Sequence, residues 1–119
     1  MALAGSALAS LAWAYAALTD QVNNGIRLGV YARRADEQRR RSGHLPTTFD
    51  GLDRWGRPIL YLRGPTHAVF VSFGRDGRPD FADYVRFLGE EASEDPRICF
   101  RPDADTIVRT DRAIRLCAK

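Results

Sequence analysis

Asp53-Arg54-Trp55-Gly56-Arg57-Pro58-Ile59-Leu60-Tyr61-Leu62-Arg63 is the stretch on which the fold turns. Trp-Gly-x-Pro joins a large aromatic to a residue free in φ and then to one that locks φ, so the chain bends here and leaves extended. From Pro58 onward Leu60 and Leu62 alternate with Ile59, Tyr61 and Arg63, which is the period of a strand. Beyond Gly64-Pro65-Thr66-His67 a second run, Ala68-Val69-Phe70-Val71-Ser72-Phe73, is β-branched and aromatic. Two such runs with a short Gly-Pro link between them predict a β-hairpin.

Downstream the chain reads Ser72-Phe73-Gly74-Arg75-Asp76-Gly77-Arg78, then Asp80, then Ala82-Asp83. Asp76-Gly77 predicts a tight turn. Asp76, Asp80 and Asp83 crowd carboxylates into one loop, and they repel unless something neutralises them. Carboxylates, backbone carbonyls and water on an irregular loop are what a hard cation such as calcium accepts. Arg75, Arg78 and Arg86 offer the other solution, a solvated turn held by surface ion pairs. Spacing alone favours the solvated turn over the metal site.

These residues resemble a known family, the major pseudopilin of type II secretion systems and its type IV pilin relatives. That family carries Asp-Pro-Trp-Gly-x-Pro-x-x-Tyr in its carboxyl-terminal sheet, then Ser-x-Gly-x-Asp-Gly and an Ala-Asp-Asp or similar acidic pair. Asp53, Trp55, Gly56, Pro58 and Tyr61 match the first element, with Arg54 in the usual proline position; Ser72, Gly74, Asp76, Gly77, Ala82 and Asp83 match the second without a gap. The resemblance implies a calcium site with Asp76 and Asp83 as side-chain ligands and carbonyl help around Ser72. Tyr84 stands where a second acidic residue is usual, and Pro79-Asp80 replaces a glycine-bearing pair, so that either Asp80 substitutes as a ligand or the site is lost.

The amino-terminal part is read against the same pattern, a sheet carried on one long helix. Residues 2–18 contain no charge and are rich in Ala and Leu. Leu8, Leu11, Tyr15, Leu18, Val22 and Ile26 keep a spacing of three and four, the signature of a helix face, and are the candidate subunit-packing residues. The polar face grows beyond Asp20 and ends in Arg33-Arg34-Ala35-Asp36-Glu37-Gln38-Arg39-Arg40-Arg41, with Ser42-Gly43 as the stop and Pro46 just beyond. This predicts one helix of roughly forty residues, about 60 Å long, apolar over 2–18 and amphipathic over 19–41. Asn23, Asn24, Gly25 and Gly29 are its weak point, where a kink or melted turn is expected, since glycine costs about 1 kcal/mol against alanine. The apolar run sits at the lower limit for a bilayer span. Three fates compete for it: a secretory signal peptide cleaved near Ala16, though it lacks a basic leader; a buried core helix; or a pilin-type segment that anchors in the inner membrane and then packs into a filament core. The resemblance favours the third.

Composition bounds the rest. At 119 residues, 45% hydrophobic and 28% charged, the chain holds one compact domain plus a protruding helix. The net charge of +3 is modest, and the basic residues gather at 27–41. Such a stripe serves as a solvated face, with Arg33 and Glu37 paired at i,i+4, or as a grip on nucleic acid or another polyanion. No aromatic interleaves the arginines after Tyr31, which favours the solvated face and makes nucleic acid the lesser reading. Glu90-Glu91-Ala92-Ser93-Glu94-Asp95-Pro96 reads as an exposed loop. Short apolar runs at 97–100, 106–109 and 113–117 predict further strands, with Thr110-Asp111-Arg112 turning a terminal hairpin. Cys99 and Cys117 are the two cysteines. Their count alone leaves a disulfide and two free thiols equally open, and the resemblance to exported pilins implies the bond. His44 reads as a post-helix turn residue and His67 as a hairpin-loop residue; neither neighbours a cysteine, and no Gly-x-Ser-x-Gly elbow, phosphate loop or dinucleotide fingerprint is present. Catalysis is the least supported class.

The expected fold is therefore α+β: a long helix, 1–42, packed on a small antiparallel sheet, 43–119, whose acidic loop spans 74–84. The expected role is a structural subunit of a pseudopilus or pilus-like filament for type II protein secretion, at the inner membrane and periplasm or the cell surface of a bacterium. Its partners would be further copies and other pseudopilins. The alternatives are a minor pilin that binds DNA or another polyanion, and a soluble exported binding domain, both using the stripe from Arg33 to Arg41.

Overall fold

The computed structural model describes residues 2–89, 104–111 and 115–117, with the side chains of 2–10, 14, 17 and 115–117 outside that description. The predicted α+β arrangement is what it shows. Helix α1, Ala2–Ser42, runs 41 residues, and the molecule is 63 Å along its longest axis and 23 Å across the other two. Strands β1 (Leu60–Arg63), β2 (Ala68–Ser72), β3 (Thr106–Arg109) and β4 (Arg115–Cys117) form one sheet in the order β1-β2-β3-β4, each pair antiparallel. A short helix α2, Arg86–Gly89, follows the acidic loop and was not foreseen.

The expected weak point of α1 is continuous helix. Asn24 is fully buried, and its side chain bonds outward to the rest of the fold: Nδ2 donates to Ser72 Oγ (3.0 Å) and Thr106 Oγ1 (3.4 Å), and Oδ1 accepts the Arg54 N–H (3.1 Å). Tertiary bonds of this kind outweigh poor helix propensity, which is about 1 kcal/mol for each glycine and less for each asparagine. At the other end Gly43 takes φ +82° and its N–H caps Arg39 O at 2.8 Å, as the Ser42-Gly43 stop predicts.

The hairpin forms in the expected place. Leu60 faces Val71 and Arg63 faces Ala68 across the pair, and the Gly64 N–H closes the turn on His67 O at 2.8 Å. Pro58 lies before the strand, bridged only to Leu52. Every residue of β2 is buried because the sheet is covered on both faces. Ala68 and Phe70 point with Val108 toward Leu28, Ala32 and Ala35 of α1, and Tyr31, Phe49 and Tyr61 close the edges of that core. Val69 and Val71, one residue out of phase, point with Ile107 toward Tyr84 and Phe87 on the opposite side. Burial of side chains such as Phe70 and Leu28 stabilises the fold by about 1.5–3 kcal/mol each. The terminal hairpin β3–β4 pairs as expected. The run at 97–100, the acidic stretch at 90–96 and the Cys99–Cys117 pairing lie outside the described residues.

Candidate functional site: an uncovered helix face and an acidic loop

The sheet covers α1 along Gln21, Asn24, Leu28, Ala32 and Ala35, a stripe spaced by three and four. Before Gln21 the described side chains of the helix are exposed or half-buried. Among the predicted packing residues Leu11 (69% exposed), Tyr15 (75%), Val22 and Ile26 face solvent, Leu18 is half-buried, and Leu8 lies outside the described side chains. None of the described side chains of residues 11–20 is fully buried by the rest of the chain. Trp13, absent from the sequence-based set, is also exposed, with the Arg75 guanidinium 5.0 Å from its ring centroid. No helix among the described residues is long and apolar enough to cross a membrane.

The Trp-Gly-x-Pro turn is organised by Asp53, which is buried. Its Oδ1 accepts the N–H groups of Trp55 (2.9 Å) and Arg57 (3.0 Å), its Oδ2 accepts Ser72 Oγ–H (2.8 Å), and Gly56 supplies the required φ of +79°. The Ser72 hydroxyl sits at the centre of this buried network, donating to Asp53 while accepting from Asn24 and, at 3.4 Å, from the Gly74 N–H. The network ties α1, the turn and β2 together.

The acidic loop is held mostly by its own protein groups. Arg57 reaches across and donates to the carbonyls of Gly74 (3.0 Å) and Arg75 (2.6 Å), so a guanidinium occupies carbonyls that a cation could have used. Gly77, at φ +70°, leaves room for it: a Cβ there would lie 2.8 Å from the Arg57 guanidinium. Asp76 accepts the Arg78 N–H at 2.9 Å, and Asp83 accepts the Val85 N–H at 2.9 Å just before α2. Asp80 behaves differently. It exchanges bonds with Asp105, each backbone N–H donating to the other's carboxylate (3.0 and 2.9 Å), and the Tyr84 hydroxyl also donates to Asp105 Oδ2. Asp105 is fully buried, and its Oδ1 has no hydrogen-bond partner among the described residues. Burial holds the Asp105 carboxyl above the usual carboxylate range, against the downward pull of the Tyr84 hydrogen bond, and burial with that same bond pushes the Tyr84 hydroxyl up to about 12.

The expected ligand set Asp76, Asp80, Asp83 and Ser72 is not drawn to one point, and no group of three or more His, Cys, Asp or Glu among the described residues is placed to hold a metal. Beside Asp80, the buried Asp105 carboxylate keeps one oxygen, Oδ1, without a donor among the described residues. Asp105 escaped the sequence reading; its one local signal is an acidic residue placed directly before the strand run Thr106-Ile107-Val108.

On the basic stripe Arg33, Arg34, Arg40 and Arg41 are exposed, and Asp36 pairs with Arg39 and Arg40 at 3.0 Å each, in place of the expected Arg33–Glu37 pair. His44 lies just past the helix, and His67 in the hairpin turn has Nε2 2.6 Å from Leu88 O, both where expected. No protein-family model, no curated protein and no solved structure matches the chain.

Proposed function

We propose that the chain is a structural subunit of a pseudopilus or pilus-like filament, serving protein secretion across a bacterial envelope, with its α1 faces buried against neighbouring copies. The observation that carries this reading is the row Leu11, Tyr15, Val22 and Ile26, left uncovered on a helix that its own sheet holds only from Gln21 onward. Four large side chains in water on one rod are a face that gains by association, each worth about 1.5–3 kcal/mol when buried. The sequence resemblance at the Trp-Gly-x-Pro turn and acidic loop supplies the kind of assembly. Anchorage in the inner membrane before assembly belongs to the same proposal and is supported by the uncharged stretch 2–18. Calcium on the acidic loop is also part of it: a cation cancels carboxylate repulsion and stiffens a lateral contact between heads.

The test is light scattering of the purified chain beside Leu11→Glu and Ile26→Glu. Assembly by the parent chain and monomers for both variants, at equal helix content, support the reading; a monomeric parent at high concentration overturns it.

A second reading uses the exposed arginines near the end of α1 to grip a polyanion. It is supported by an open cleft of about 430 Å³ lined by Arg39, His44, Leu45, Arg63 and Gly64. Its mark is duplex DNA binding that weakens steeply with salt and disappears when Arg33, Arg34, Arg39, Arg40 and Arg41 are neutralised.

A further inference from the structure

We infer that the cleft between the end of α1 and the β1–β2 turn binds a phosphate monoester, gripped by Arg39, His44 and Arg63. The inference goes beyond the polyanion reading, which lays a duplex along the α1 arginines, and shares only this cleft with it. Two segments far apart in the chain make the walls. One is the last turn of α1 with the stop after it, and the other is Arg63 at the end of β1 with Gly64 and Pro65. The cleft holds about 430 Å³, and each ionisable side chain that lines it among the described residues is basic.

The walls are fixed before a ligand arrives. Leu45 is buried, and the Tyr61 hydroxyl donates to Pro46 O at 2.7 Å, which ties the segment after α1 to β1. On the opposite wall the Gly64 N–H closes the turn on His67 O at 2.8 Å. Arg39 is oriented by Asp36, whose Oδ1 accepts from Nε (3.3 Å) and Nη2 (3.0 Å), while Nη1 donates to no group among the described residues. Asp36 is shared with Arg40, so the three side chains together keep a positive charge. The His44 ring and the Arg63 guanidinium have no hydrogen-bond or ion-pair partner among the described residues. Bare carbonyls at a helix end repel an anion, and here Gln38 O is capped by the Ser42 hydroxyl and Arg39 O by the Gly43 N–H, each at 2.8 Å.

The donor set selects the ligand. Two guanidinium forks and an imidazole present N–H groups from both walls. A single carboxylate fills one fork, whereas a phosphate monoester carries close to two charges and three oxygens, enough for all three side chains. A nucleic-acid diester brings one charge per phosphate. Exposed arginines gain little from a single charge in water, so the doubly charged group is the one held.

The test is an NMR titration of the full chain with inorganic phosphate against sodium chloride at equal ionic strength. The His44 and Gly64 amide signals are expected to move with a Kd in the millimolar range, and chloride is expected to leave them in place. Arg63→Gln, at an exposed strand end, is expected to weaken phosphate roughly tenfold. Arg39→Lys keeps the charge and loses the fixed fork, and is expected to bind severalfold more weakly. Arg33→Gln with Arg34→Gln, outside the cleft, is expected to bind phosphate as the parent does. The inference is overturned if phosphate moves the parent's signals no more than chloride does, or if the Arg33/Arg34 variant loses as much as Arg63→Gln. Vesicles of phosphatidylcholine with phosphatidic acid distinguish the sources of the group. Retention of the parent and release of Arg63→Gln assigns a lipid headgroup; no retention, with phosphate still bound, assigns a soluble phosphate. Duplex DNA on the same samples separates this site from the polyanion reading. DNA binding without a phosphate response overturns this inference alone, and a phosphate response without DNA binding overturns only that reading.

Discussion

Asp53 and Asp105 are both carboxylates with almost no exposed surface, and they are finished differently. Asp53 has three donors shared over both oxygens, all of them groups that the turn and β2 must satisfy anyway. Asp105 has two donors on one oxygen and none on the other. A buried charge that is fully bonded belongs to the architecture. One that is half bonded is a place where something else can act.

The largest expected effect falls on the architectural side. Asp53→Ala strips the acceptor from two backbone N–H groups and the Ser72 hydroxyl, and a loss of about 3 kcal/mol or more is expected in urea unfolding. Asp105→Asn, by contrast, is expected to be neutral or stabilising without added metal. A loss as large as that of Asp53→Ala would erase the distinction between the two sites.

Ser72→Ala comes next, at about 1–2 kcal/mol, because it deprives both Asn24 and Asp53 of a partner. It is expected to leave any calcium response intact, which sharpens the separation between the network and the loop.

Acid titration contrasts Asp105 with a third carboxylate. The Asp105 carboxyl is raised above its ordinary value of 3.8, so its charged form is a cost at neutral pH that is relieved as pH falls through the raised folded value. Asp111 is lowered by its hydrogen bond to Arg109, so it contributes stability above 3.8 that is lost as pH falls through its depressed folded value. Unfolding midpoints in EDTA are expected to rise on mild acidification and fall only later. Asp105→Asn is expected to remove the rise and keep the fall.

The smallest effect is Gly29→Ala, an added stability of about 1 kcal/mol, since the position is helical and a Cβ there meets nothing within 4 Å. It separates a tolerated glycine from the buried Asn24 five residues before it in the predicted weak segment.

What was legible in the sequence follows from range. The hairpin could be read because alternation at 59–63, the Gly64-Pro65 link and the β-branched run at 68–73 are local signals. The α1 stop could be read because Gly43 needs a left-handed φ. The continuity of α1 could not, since Asn24 is held by Ser72, Thr106 and Arg54, all distant in the chain. The buried role of the Ser72 hydroxyl was out of sight for the same reason, because only the folded turn brings Asp53 to it. Asp105 was out of reach altogether: it meets the loop only once β3 pairs with β2 and carries it 25 positions back to Asp80. The uncovered helix face was half legible. Its spacing marked Leu11, Tyr15, Val22 and Ile26, while Trp13 lies off that row and was missed.

Trp13 offers the most direct measurement on the filament proposal. In a Trp55→Phe background it is the only tryptophan, and it is 58% exposed in the single chain. Its emission is expected to shift to the blue as concentration rises and α1 packs against further copies, and to stay red in Leu11→Glu. Emission that remains red at concentrations where light scattering detects assembled chains would contradict burial of this helix in the assembly.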